Sequence, residues 1–401
     1  MGDPESVPIW SKVSLPHCVN AEDAVDPDVN YYQGPMWYKT TLEINNPHKN
    51  GRTILHFEGA GQKTKVYVYM TLVAEHVGGY DEWDADITEA VAEFRKNDSL
   101  VKRFKGKIPV SVRCDNSRDL EMMPSDLSDF TIYGGLYRYV DLMYQPEIYL
   151  TNVFAKPTID ANGKNAKLNV MFSLNTPNYN GKQIQIKLLD TKGKEVASLS
   201  KNISTADTSC DISVKQPSLW SPENPNLYQL EVRLVDGNVI SSNIGFRNFV
   251  FEDHGPFILN GKRLLLKGTH RHEDHAGVGA AMTEDMMREE MILMKSMGVN
   301  FIRLGHYQQS SIILNLCDSL GIIVWEEIPW CRGGLGNEVY QQQGKRMLTN
   351  MIHQHYNHPS IIIWGLGNEN DWPGDFTTFD NEAIRTYMKE LNVLAHRLDT
   401  T

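Results

Sequence analysis

Groups able to bind hydroxyls or move protons gather in four short stretches of the last third of the chain. They are His270-Arg271-His272-Glu273-Asp274-His275, then His306-Tyr307, then Glu326-Glu327 with Trp330 beyond, then Asn368-Glu369-Asn370. Each follows an apolar run. Imidazoles, carboxamides and carboxylates on one surface are the equipment of general acid–base chemistry on a polar neutral ligand. Splitting a glycosidic bond, for instance, needs a proton donor and a second carboxylate, about 5–5.5 Å away if configuration is retained. Glu369 suits the donor: an apolar strand would hold it rigidly, Asn368 could orient it, and partial burial would lift its pKa toward neutrality. The plainer reading of one Glu after one strand is a surface acid leading into a helix.

The elements that must position these groups follow a repeated strand–loop–helix pattern after Gly255. Apolar strands are expected at 263–267, 299–304, 322–325 and 361–366, the last reading Ile361-Ile362-Ile363-Trp364, as a parallel sheet covered on both faces requires. Between them Thr283 caps a helix with Met287, Met291 and Met294 on one stripe and Gly298 at its end. Helices are also expected at 311–320, stopped by Gly321, at 340–356 and at 381–398. Four such units are the first half of a (β/α)8 TIM barrel, and the polar stretches fall at the C-terminal ends of its strands, where barrel sites lie. A half-barrel exposes unpaired strand edges, so the chain reads as truncated within the barrel.

Two all-β stretches precede it. Runs at 37–44, 53–57, 65–70, 110–115 and 137–143, with Val66, Val68 and Met70 facing one way and Tyr67 and Tyr69 the other, predict a β-sandwich over 1–150 nearly free of helix. Runs at 166–174, 183–188, 227–234 and 239–246, turns at Asn162-Gly163 and Asp236-Gly237, and an anchoring Trp220 before Pro222 predict an immunoglobulin-like sandwich over 151–251 that spaces and docks its neighbours. The barrel portion is then 252–401. At 401 residues and 41% hydrophobic content the chain has material for two or three cores.

A net charge of −11 argues against nucleic-acid and anionic-membrane partners, and neutral ones fit better. No apolar run reaches the roughly 18–20 residues that cross a bilayer, so a soluble protein is expected. The stretch Met1–Ile9 lacks a basic end followed by an apolar segment, which leaves localisation open: periplasmic or secreted if a leader has been removed, otherwise cytoplasmic. Five cysteines without C-x-x-C spacing predict reduced thiols rather than a disulfide framework or zinc ribbon. Association into a homo-oligomer stays open.

The run Tyr356-Asn357-His358-Pro359-Ser360-Ile361-Ile362-Ile363-Trp364-Gly365-Leu366-Gly367-Asn368-Glu369 resembles the acid/base signature of glycoside hydrolase family two almost residue for residue. Asn300-Phe301-Ile302-Arg303-Leu304-Gly305-His306-Tyr307, continuing to Cys317-Asp318-Ser319-Leu320-Gly321-Ile322, resembles its other signature, with Leu304 and Gln308 departing from it. Gly34-Pro35-Met36-Trp37-Tyr38, Glu75-His76-Val77-Gly78-Gly79-Tyr80 and Gly134-Gly135-Leu136-Tyr137-Arg138 look like the family's N-terminal jelly roll, and Leu219-Trp220-Ser221-Pro222 like its second domain.

This resemblance implies a retaining glycosidase with Glu369 as acid then base and Asn368 beside it. Arg271-His272-Glu273 favours β-galactosides as substrates, with β-glucuronides and β-mannosides as the alternatives within the family. His272 and His306 would contact the sugar, Arg303 would support the acid/base, and Asp129 would reach a sugar hydroxyl, with Gln33 as a weaker candidate. Trp330 is either a stacking platform or a packing aromatic; the plainer readings of Arg303, His306 and Asp129 are a strand-end ion-pair partner, a core histidine and a turn residue. No cofactor is expected. Members that hold magnesium place a Glu and a His where this chain has Cys331, Arg332 and Gly333, so a magnesium site is not expected there. The family's nucleophile lies on the seventh strand, beyond this chain, which alone should be inactive. Two readings of other classes stand beside this one: a metal-dependent amidohydrolase, because His270-x-His272 after a first strand begins such sites, and a non-catalytic carbohydrate-binding fragment.

Overall fold

The computed structural model describes residues 10–125, 128–160, 163–205, 207–374, 376 and 379–401. The stretch 1–9 and Asn162 of the expected turn lie outside them, while Gly163 has the positive φ, 71°, that the turn demands.

The first sandwich faces a four-stranded antiparallel sheet, ordered Pro35–Leu42, Ile108–Asp115, Lys63–Val68 and Thr71–Val77, against a three-stranded one of Trp83–Asp86, Arg52–Phe57 and Val140–Gln145. Alternation buries Val66 and Val68 with Phe57, Ile108 and Val110. Met70 does not join them: the strand ends at Val68, and Met70 sits on the following turn, 80% exposed. Of two helices that the sequence did not signal, Thr88–Arg95 drops Val91 and Phe94 into this core and Asp98–Arg103 packs partly buried Leu100 and Val101 against it. They are too short for a 3.6-residue period to emerge.

In the second sandwich, three strands (Leu150–Ile159, Asn165–Leu174, Ser209–Lys215) cover four (Glu195–Ile203, Lys182–Leu189, Tyr228–Leu234, Val239–Ile244). The register sets Ile184, Ile186 and Leu188 opposite Leu234, Val232 and Leu230, all buried, as the expected immunoglobulin-like core requires. Trp220 is fully buried and donates its indole N–H to the Asp318 carbonyl 2.9 Å away. Arg247 donates to the carbonyls of Pro359 and Ile361, and Asn357 exchanges hydrogen bonds with the backbone of Val153 and Ala155 at 2.8 Å. This domain therefore clasps the barrel portion.

That portion runs β1 (Gly268–Arg271), α1 (Glu284–Ser296), β2 (Phe301–Leu304), α2 (Ser311–Leu320), β3 (Ile323–Glu327), α3 (Glu338–His355), β4 (Ile361–Gly365) and α4 (Asn381–Leu398), with the four strands parallel in chain order. The Thr283, Ser310, Asn337 and Asp380 side chains cap the four helices. Gly321, at φ 68°, ends α2 in the left-handed turn that suits glycine. The first strand is displaced from its expected place at 263–267. Lys262–Arg263 instead pairs antiparallel with Phe257–Leu259, and Leu264 and Leu266 pack on the Trp220 cluster beneath the sheet. β1 reads Gly268-Thr269-His270-Arg271 and so carries no apolar signal.

The five cysteines are reduced and buried. No helix among the described residues is long and apolar enough to cross a membrane.

Candidate active site

The last residue of β3, Glu327, is fully buried and organises the mouth of the sheet. Arg303 on β2 grips its two oxygens at 2.9 and 3.2 Å, and His306 Nδ1 lies 2.5 Å from one of them. A buried carboxylate of this kind is tolerated because a guanidinium pairs with it and hydrogen bonds fill its lone pairs. The same guanidinium donates to Asn368 Oδ1 at 2.8 Å and stacks 4.7 Å above the Trp325 ring. Parallel pairing thus links the tips of β2, β3 and β4 into one network. His306 belongs to this network rather than to the apolar core.

The loop after β1 is held from the first sandwich. Arg138, 2% exposed, donates from Nε to Glu273 at 2.8 Å and from its other nitrogens to the carbonyls of Glu58, Tyr80 and Gln308. Glu273 also accepts from Ser310 N at 2.7 Å. Tyr307, stacked on Tyr80 with centroids 4.3 Å apart, puts its hydroxyl 3.4 Å from His272 Nδ1. The sandwich loop carrying Asp129 and Phe130 overhangs the mouth, the Phe130 ring lying 5.8 Å from His272 and 6.4 Å from His306. Burial, then the neighbouring His306, pushes His272 below its ordinary pKa. The same causes, in the same order, bring His270 to about 4.

At the tip of β4, Asn368 is fixed by backbone bonds to Trp330 and Arg332, each 2.9 Å. Its amide meets Cys331 Sγ at 3.5 Å, and that thiol donates to Asp129 Oδ1 at 3.0 Å. Asp129 therefore reaches the mouth. Burial opposes its charge, but the thiol hydrogen bond and His306 hold its pKa below the usual value. Glu369 adopts φ 49°, its carboxylate lies 3.8 Å from Arg332 Nε, and Arg332 stacks 4.8 Å from the Trp372 ring. Its side chain is 54% exposed rather than partly buried as expected.

Trp330 is not a stacking platform. It is fully buried, donates to the Gly334 carbonyl at 2.8 Å and packs edge-on against Tyr387. Gln33 is exposed and donates at 3.3 Å to the Tyr31 hydroxyl, which also accepts from Ile132 N at 3.5 Å. From the sequence, Glu327, Tyr307 and His270 were placed among the polar groups of the mouth without a role in the glycosidase reading, and Arg138 only within a jelly-roll motif. Two adjacent acids closing a buried strand, Glu326-Glu327, are the signal that was available. A thiol and a guanidinium beside Asn368 and Glu369 are not a donor set for magnesium, which takes oxygen ligands.

Two sandwiches leading a parallel sheet, with a polar mouth at its C-terminal edge, define a modular protein whose chemistry sits in its barrel layer. Family models match the whole organisation: the sugar binding domain of glycosyl hydrolases family 2 over 4–146, the central family 2 domain over 148–247, and the family's TIM barrel domain over 251–401. The chain belongs to glycosyl hydrolases family 2. That membership accounts for the two leading sandwiches, which the amidohydrolase reading leaves unexplained. A putative beta-glucuronidase of Formosa agariphila is 44% identical over 397 residues, 97% of this chain and 46% of the relative. A beta-galactosidase of Thermoanaerobacterium thermosulfurigenes is 30% identical, over 98% of this chain and 53% of the relative. Beta-glucuronidase 3 of Bacteroides uniformis, solved in its apo form, superposes with a TM-score of 0.95 at 60% identity, over 100% of this chain and 51% of that one. The chain thus spans about half the length of the relatives it matches.

Proposed function

We propose that this chain provides the acid/base half of a retaining β-glycosidase site acting on β-glucuronides. The carrying observation is Asn368-Glu369 at the tip of β4, tied through Arg303 to Glu327 and His306. Glu369 protonates the leaving oxygen and then takes a proton from water, while His272, His306 and Asp129 bind sugar hydroxyls and Arg303 positions Asn368. The second carboxylate that forms and resolves the glycosyl intermediate comes from outside the four strands. Glucuronides replace the galactosides expected from Arg271-His272-Glu273, since the more similar relatives bear the glucuronidase name. Arg271 itself is buried and bonded to Glu290 and Gln309, which makes it a packing residue rather than a sugar reader.

The test is an assay of the protein extended to its relatives' full length on β-glucuronide, β-galactoside and β-mannoside, beside Glu369→Gln. The substitution should lower kcat/KM about 10²–10⁴-fold on aglycones that need a proton, with less loss on activated nitrophenyl leaving groups. Full activity of Glu369→Gln on every glycoside would overturn its role; a tenfold preference for galactoside would overturn the sugar.

A further inference from the structure

His270 is the one imidazole of the mouth that the glycosidase reading leaves without a task. It lies in contact with two others: its ring centroid is 4.9 Å from that of His272 and 4.8 Å from that of His306. One ligating nitrogen from each of the three falls within 4.8 Å of the other two. A Cβ on Gly305 would stand 2.2 Å from His270 Cε1, so the ring occupies space that only glycine at 305 leaves open. The remaining ring contacts fix which nitrogen is available. Glu327 engages His306 at Nδ1, and Tyr307 lies by His272 at Nδ1, so the nitrogen of each ring turned away from these partners is Nε2. A carboxylate behind a metal-binding imidazole is the usual outer support of such ligands: it fixes the tautomer and raises the basicity of the opposite nitrogen.

We infer that His270, His272 and His306 form a binding site for a borderline transition-metal dication such as Zn²⁺, with a fourth coordination position open toward the mouth. Zinc–nitrogen bonds of about 2.0–2.1 Å place tetrahedral ligands about 3.3 Å apart. Reaching that spacing from the observed separation of up to 4.8 Å requires the three rings to close by about 1.5 Å when the ion binds. Three imidazole donors favour zinc, copper or nickel and give magnesium or calcium, which take oxygen ligands, no foothold. The site differs from the oxygen-ligand magnesium site discussed above, because its donors are on the β1 and β2 loops and not on those after β3 and β4. An ion there would cover imidazoles assigned to the sugar and so block it; that consequence rests on the glycosidase reading, whereas metal binding does not.

The test is direct binding to the 401-residue chain after chelator treatment. Calorimetric titration with Zn²⁺ should show one site per chain, and Co²⁺ should give the visible absorption of a tetrahedral nitrogen-ligated ion. His270→Ala, on an exposed edge strand, should weaken Zn²⁺ binding at least about 10–100-fold. His272→Ala should do the same, while His275→Ala, an exposed imidazole outside the cluster, should leave it unchanged. Equal Zn²⁺ uptake by the chain and its His270→Ala and His272→Ala variants overturns the inference, as does a Co²⁺ complex with an octahedral spectrum.

Discussion

Replacing Arg138 with Met keeps most of the stem's volume and removes all the guanidinium donors at the junction of the first sandwich and the β1 loop. The loss can be worked from the contacts. Glu273, itself 2% exposed, would keep the Ser310 N–H at 2.7 Å and the more distant Arg271 at 3.8 Å, but lose its close counter-ion. Three backbone carbonyls, of Glu58, Tyr80 and Gln308, would each lose a charged donor in a buried setting. Removing one partner of a buried pair typically costs about 3–5 kcal/mol, most of it the penalty of an uncompensated charge. Arg138→Met should therefore destabilise the chain by that amount in urea unfolding followed by tryptophan fluorescence. Adding Glu273→Gln removes the stranded charge, so the double variant should be more stable than the sum of the single losses predicts, by about 1–3 kcal/mol. A cost under about 1 kcal/mol for Arg138→Met, or strict additivity in the cycle, would refute the view that this ion pair locks the two domains.

Trp330→Ala should cost about 3–5 kcal/mol in the same assay, because the indole fills a closed site against Tyr387; loss of sugar affinity without loss of stability would restore the platform reading. Burial opposes the charge on His358, but the Asp318 carboxylate 2.6 Å from Nδ1 lifts its pKa above the ordinary 6.5. The stability from this pair is complete below about pH 6.5 and declines as pH rises through the raised value, since the folded chain then holds the proton that the unfolded chain has released. His358→Gln should flatten that alkaline decline in a series of unfolding midpoints against pH, and an unchanged slope would show that the pair does not titrate there.

Much of the architecture was legible because side-chain periodicity and caps act locally. Thr283, Gly321 and the run Ile361-Ile362-Ile363 mark their elements without help from the rest of the chain. The strand carrying His270 was not legible, since its apolar neighbours Leu264 and Leu266 serve the seam with the second sandwich and the strand itself, Gly268-Thr269-His270-Arg271, has no apolar side chain. Of the site, the signatures led to Glu369, Asn368, Arg303 and His306. They could not reveal that Glu327 joins the last two, because that depends on the register between adjacent parallel strands. The resemblance carried by Arg271-His272-Glu273 pointed to galactosides, whereas the more similar relatives bear the glucuronidase name, and the Arg271 side chain itself turns toward Glu290 on α1.

Strand β4 is held at its foot by Arg247 of the second sandwich, and its tip meets Asp129 of the first through Cys331. Two modules, each with its own core, thus set the height and tilt of the segment that presents residue 369. Grafting this barrel portion behind the sandwiches of a distant relative would consequently misalign the acid even with every barrel residue preserved. The three modules are expected to travel through evolution as a matched set.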